Sequence, residues 1–152
     1  MMRFESRVDR FFLLVFVGLI VVMLGTIGAV HLVQVGSLLL VIVDITSLLT
    51  IGLILWVHFG TYYLLGENEI KFHSGPFKGA ISIDSIRKVV VGETQWSGMN
   101  RYGTAKKGLI VHYNKFDDLY ITPSSNEDFV SELLKLKPTI EVIRPKKILQ
   151  EP

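Results

Sequence analysis

Residues 11–66 read FFLLVFVGLIVVMLGTIGAVHLVQVGSLLLVIVDITSLLTIGLILWVHFGTYYLLG, and in this stretch Asp44 is the single formally charged side chain. A buried core helix is shorter than this, whereas a membrane span takes about 20 apolar residues. The stretch therefore supplies two spans, about residues 11–31 and 38–59. Between them Leu32-Val33-Gln34-Val35-Gly36-Ser37 is short and uncharged, and its Gly and Ser suit a tight turn. The two helices must then be antiparallel neighbours.

Charge is partitioned around this run. Of 16 Lys and Arg and 14 Asp and Glu, residues 67–152 hold all but Arg3, Arg7, Arg10, Glu5, Asp9 and Asp44. The C-terminal part is near neutral, which gives no electrostatic footprint for nucleic acid. The chain has no cysteine, which excludes disulfides, thiolate catalysis and Cys-based zinc sites. The apolar stretch exceeds the core of a secretion signal, and acids sit among the arginines before it, so an uncleaved span is expected. Three arginines precede the first span and none lies in the turn. By the positive-inside rule both termini face the cytoplasm of a multi-pass cell-membrane protein. Trp56, Tyr62 and Tyr63 mark the level at which the second span leaves the lipid.

Gly18, Gly25 and Ala29 share one face of the first helix, and Thr46, Ser47, Thr50 and Gly52 offer a small or hydroxylic surface on the second. Close packing of these faces is expected, because lipid gives apolar side chains little drive to associate. Asp44 is the anomaly. It lies about 10 Å below the outer surface at about 1.5 Å per residue, where a charge needs a partner, a proton or water. Its depth matches Thr26, which with Thr46 and Ser47 is a candidate hydrogen-bond partner. His31 sits nearer the outer surface.

After Phe59 the period changes. Thr61–Leu65 is β-branched and aromatic, and Ile70–His73 alternates as a half-buried strand does. Phe77–Ser82, Lys88–Thr94, Gly108–Tyr113 and Leu119–Thr122 read as further strands, separated by turn residues. Ser124 or Ser125 can cap a helix carrying Phe129, Val130, Leu133 and Leu134 at helical spacing, and Pro138 ends it. Thr139–Ile143 alternates once more. A curled antiparallel sheet whose open end is closed by the helix accommodates six strands and one helix.

These residues also resemble a known family. Phe59-Gly60-Thr61-Tyr62-Tyr63, Ser74-Gly75-Pro76-Phe77, the Ile83–Ile86 turn, Ile121-Thr122-Pro123 and the Phe129–Leu134 helix resemble bacterial pleckstrin-homology-like domains of the YyaB-like type. The resemblance covers roughly residues 55–142 and departs in the loop Gln95–Lys107. It implies an α+β membrane protein in which a two-helix hairpin precedes a PH-like antiparallel β-barrel with a C-terminal capping helix. It carries over no catalytic motif. The expected organisation is a cytoplasmic segment at 1–10, a transmembrane hairpin at 11–59, a PH-like domain at 60–143 and a flexible tail at 144–152.

No enzyme activity, metal site or cofactor is assigned. His31, His58, His73 and His112 lack metal-ligand spacing, and no nucleophile elbow or phosphate-binding loop occurs. The candidate binding loop holds Trp96, Arg101, Tyr102, Lys106 and Lys107. Cations among aromatics beside a bilayer suit anionic lipid headgroups or a membrane protein partner. The leading expectation is a membrane-tethered recognition or scaffolding protein. The alternative is an immunity or envelope-defence protein that acts through the hairpin and Asp44.

Overall fold

A computed structural model describes residues 1–33, 36–96, 98 and 100–144. The tail expected at 144–152 lies outside them except for Arg144, as do Gln34 and Val35 of the turn. Strand β1 (Met2–Glu5) comes first, then helices α1 (Arg10–Leu32) and α2 (Ser37–Phe59). Strands β2 (Thr61–Leu65), β3 (Glu69–Ser74), β4 (Phe77–Ser82) and β5 (Ile86–Glu93) follow, with a 3-10 turn at Ile83–Ser85. The chain continues as β6 (Gly108–Tyr113), β7 (Asp117–Ile121), α3 (Asn126–Leu136) and β8 (Glu141–Ile143).

The strands form two four-stranded sheets, ordered β1-β2-β3-β4 and β7-β6-β5-β8. Tyr63, Ile70, Ile86, Leu109, Val111, Leu119 and Ile121 fill the space between them and are almost wholly buried. Helix α3 closes the domain with Phe129, Val130 and Leu133. Its N-cap is Ser125, whose hydroxyl accepts the Asp128 N–H at 3.2 Å and satisfies one orphan donor of the first turn. Strand β8 runs parallel to β5, so the second sheet is mixed rather than wholly antiparallel. The cause is α3: it returns the chain to the end of the domain where β5 begins, so the next strand runs in the same direction.

The N-terminal segment differs most from the sequence reading. Residues 1–10, expected only as a segment ahead of the hairpin, contain a strand: β1 pairs antiparallel with β2, Met2 opposite Leu65 and Glu5 opposite Tyr62. Phe4 packs edge-on against Phe129 at 5.0 Å between ring centroids. Beyond β1 the chain crosses to the other sheet, where Arg7 N–H donates to Thr122 O at 2.7 Å and Ser124 N–H donates to Glu5 O at 2.9 Å. The apolar hairpin is thus an insertion between the first two strands of the β domain. Backbone pairing is the physical reason, because without β1 the outer edge of β2 would leave its N–H and C=O groups unmatched.

The hairpin helices are both long and apolar enough to cross a membrane. On α1 the less exposed positions are Phe12, Phe16, Ile20, Met23, Ile27 and Val30; on α2 they include Leu40, Ser47, Ile51, Ile54 and His58. Their 3–4 spacing marks the faces that turn toward each other. The glycines lie elsewhere: a Cβ added at Gly18, Gly25 or Gly52 would meet nothing within 4 Å. Of the small-residue surfaces expected to meet, only Ser47 is buried in the seam. Large side chains line it instead, and Phe16 meets His58 edge-to-face at 5.3 Å between ring centroids.

Candidate recognition surface

Two short junctions join the hairpin to the β domain. At the second, Gly60 alone separates α2 from β2. Thr61 Oγ1 donates to Val57 O at 2.6 Å and lies 3.0 Å from Ser74 Oγ. The β3–β4 turn packs against the same end of α2. Gly75 there has φ +57°, and an added Cβ would come within 3.1 Å of the Val57 backbone. Glycine meets both demands, the left-handed φ and the close approach.

The first junction, Ser6–Asp9, is built on hydroxyls and one carboxylate. Ser6 Oγ lies 3.1 Å from Tyr63 OH, 2.9 Å from Thr104 Oγ1 and 3.0 Å from Thr122 Oγ1. Tyr63 OH donates to Tyr102 O at 2.6 Å and accepts from Thr122 N–H at 3.1 Å. Burial raises the Tyr63 phenol above its ordinary pKa, and the hydrogen bonds from Ser6 and Thr122 offset only part of that rise. Asp9 is the N-cap of α1, with Oδ1 accepting from Phe12 N–H at 3.0 Å. Its Oδ2 accepts the backbone N–H of Lys106 at 2.7 Å. Burial pushes the Asp9 carboxyl up, but the N–H bonds from Phe12 and Lys106, with the Lys106 charge, outweigh it and hold the pKa below the ordinary value. Arg7 Nη2 donates to the carbonyls of Lys106 and Lys107 at 2.8 and 3.0 Å.

These bonds seat the 101–107 loop beside the start of α1. Lys106 Nζ lies 3.6 Å from the Phe11 ring centroid and 5.7 Å from that of Trp96. The two rings meet edge-to-face at 6.4 Å. Trp96 and Phe11 stay 62% and 45% exposed, so the cation rests on an open aromatic surface. Arg101 Nη1 donates to Trp96 O at 2.8 Å. Its Nε is shut off from water with no partner among the described residues. Lys107 is exposed, at φ +55°.

Of the five loop residues singled out from sequence, Trp96, Arg101 and Lys106 are brought together. Tyr102 points the other way, tilted over Phe72 with ring centroids 4.3 Å apart and packed on the core. Chain direction explains this: Tyr102 N–H donates to Tyr120 O, and this bond to the end of β7 pins the residue beside the core. Sequence reasoning missed Ser6, Arg7, Asp9 and Phe11. Asp9 had a readable signal, a capping acid directly before an apolar helix.

At the turn end of the hairpin, His31 Nε2 lies 3.0 and 3.2 Å from the Asp44 carboxylate oxygens. His31 is therefore the partner of Asp44. Thr26 instead donates to Met23 O in its own helix, and Thr46 donates to Ile42 O. Helical side chains lean toward their own N-terminus. On antiparallel helices that brings His31 down from the end of α1 and Asp44 up from within α2, so matching Cα depth pointed to the wrong residue.

Elsewhere His112 Nδ1 is hydrogen-bonded to Asp118, an oriented imidazole. The neighbouring cleft of about 180 Å³ is lined by Arg87, Lys88, His112 and Glu141. Among the described residues no group of three His, Asp or Glu could hold a metal ion.

The architecture of two β-sheets closed by a C-terminal helix agrees with the comparisons to known proteins. Residues 61–137 match the family described as Bacterial PH domain, and the chain belongs to that family. It is similar to the protein named "Uncharacterized protein YyaB" of Bacillus subtilis (strain 168), with 29% identity over 82 residues. That alignment covers 54% of this chain and 56% of the relative, so the chain spans about half the length of the curated relative it matches. No solved structure matches. The family match begins at β2, and β1 lies upstream, on the far side of the hairpin.

Proposed function

We propose that this is a membrane-anchored, non-catalytic recognition or scaffolding protein whose β domain is docked on the cytoplasmic face of a bacterial membrane. The insertion of the hairpin between β1 and β2 carries this reading. A domain on a flexible linker samples many orientations. One joined by two short connections, Ser6–Asp9 and Gly60, has fewer orientations to lose, which lowers the ordering cost of binding a membrane-proximal partner. The end of the domain away from the helices carries a cleft of about 630 Å³ lined by residues including Glu67, Asn68, Glu69, Ala80 and Ser82. That cleft is available to a protein partner.

The orientation rests on Arg3, Arg7 and Arg10, which lie with the domain at the base of the hairpin. A membrane-impermeant maleimide applied to intact cells tests it. It should label Leu32→Cys at the turn and spare Phe116→Cys on the domain; the reverse pattern would refute the orientation.

A second reading, envelope defence through the hairpin, is favoured by one observation, the His31–Asp44 pair at the turn end. Photocrosslinking in native membranes separates the two. A benzophenone amino acid at Ala80 should give a discrete protein adduct under the first reading. The same probe at Leu24, on the exposed face of α1, should give one under the second. No adduct from Ala80 together with one from Leu24 would overturn the recognition reading.

A further inference from the structure

We propose that Lys106, Arg101, Trp96 and Phe11 form a binding site for the phosphate headgroup of an anionic phospholipid. This deepens the reading of a membrane-docked domain and rests on it. Among the described residues, Arg7, Arg10, Arg101, Lys106 and Lys107 make no ion pair. The acid built into the cluster, Asp9, gives its Oδ2 to the backbone N–H of Lys106 at 2.7 Å. Glu93 stands at the strand end beside Gly108, and Glu127 is held by Arg144 at 2.7 Å. The Lys106 ammonium is thereby left with aromatic faces around it and open donor positions. A phosphate oxygen fits those positions, because an ammonium offers three donors and a π face occupies its charge without accepting a strong hydrogen bond. Arg101 adds a second cation to the patch, and its Nη1 donates to the Trp96 carbonyl at 2.8 Å.

The depth selects a lipid over a soluble phosphate. Phe11 is the second residue of α1, the first apolar helix of the hairpin. Exposed Phe and Trp rings at the end of a span lie at headgroup level, with the cation directed to the phosphate layer. A soluble anion would gain nothing from the two rings, whereas the glycerol and upper acyl carbons of a lipid pack on them.

Native mass spectrometry of the full chain in detergent micelles tests this with phosphatidylglycerol and phosphatidylcholine of identical acyl chains. The wild type should retain phosphatidylglycerol in preference. Each of Lys106→Gln and Arg101→Gln should lower that preference about fivefold, with the near-ultraviolet circular dichroism of the folded chain unchanged. Lys135→Gln on α3 should leave it intact. If a variant unfolds, a Trp56→Phe chain leaves Trp96 as the sole indole, and its fluorescence should be quenched by brominated phosphatidylglycerol more than by brominated phosphatidylcholine. Equal retention or equal quenching of the two lipids would overturn the site, as would full displacement by millimolar glycerol phosphate. A protein crosslinked from Trp96 without any lipid preference would assign the patch to a protein instead. A loss of the lipid preference leaves the Ala80 adduct in place, so the two proposals fail separately.

Discussion

The carboxylate of Asp9 accepts the Lys106 backbone N–H at 2.7 Å while capping α1 through Phe12 N–H at 3.0 Å. One side chain therefore fixes both the start of the first apolar helix and the loop that closes over it.

Asp9→Ala removes the cap and the loop tie together. It should destabilise the chain by about 1–3 kcal/mol, since a helix cap and a charge-assisted hydrogen bond each contribute about 1 kcal/mol or more. Thermal unfolding in micelles measures this. The pH dependence has a definite sign. The folded carboxyl titrates below its ordinary value of 3.8, so its contribution is complete above that pH and is lost as pH falls through the folded value. Asp9→Asn should flatten that acid limb, and an unchanged limb would remove Asp9 from the account.

Residues 60–144 expressed alone should not fold. Removing 1–9 takes away β1, leaves Phe129 without Phe4 and strips Ser6 from the buried Tyr63 hydroxyl. The same segment with residues 1–9 joined to residue 60 by a short glycine-serine linker in place of the hairpin should fold. Dispersed amide resonances separate the outcomes. A well-dispersed spectrum from 60–144 alone would show β1 to be dispensable.

For His31 and Asp44, single substitutions should cost more than the double. Asp44→Leu leaves an imidazole and His31→Leu leaves a carboxylate without its partner, at about 1–3 kcal/mol each. The double Leu variant should be within about 1 kcal/mol of wild type, because the apolar pair needs no partner. Reversible unfolding of the four chains closes the cycle. Additive costs would mean that the pair is not coupled.

The strands after the hairpin were readable because their alternation follows from a half-buried sheet, and Ser125 and Pro138 bounded α3 by local chemistry alone. The hairpin was readable from charge depletion. What was not readable depended on contacts between distant parts of the chain. Met2–Glu5 is too short for a pattern, and its pairing with Leu65–Tyr62 is set by the unmatched edge of β2. Tyr102 looks like a surface aromatic in a polar loop until its N–H finds Tyr120 O. The His31–Asp44 pair follows from side-chain lean, which Cα spacing does not contain. Of the candidate surface, the cations and Trp96 were legible. Phe11 was not, because in an apolar run nothing distinguishes the one ring that a lysine covers.

The central claim is that the hairpin interrupts the β domain after its first strand. Arg3 stands opposite Leu64 across the β1–β2 pair, and the chain has no native cysteine. Oxidation of an Arg3→Cys/Leu64→Cys chain in membranes, without denaturant, tests the pairing directly. A disulfide formed rapidly and within one chain is the predicted result. A folded chain that forms none would contradict the insertion.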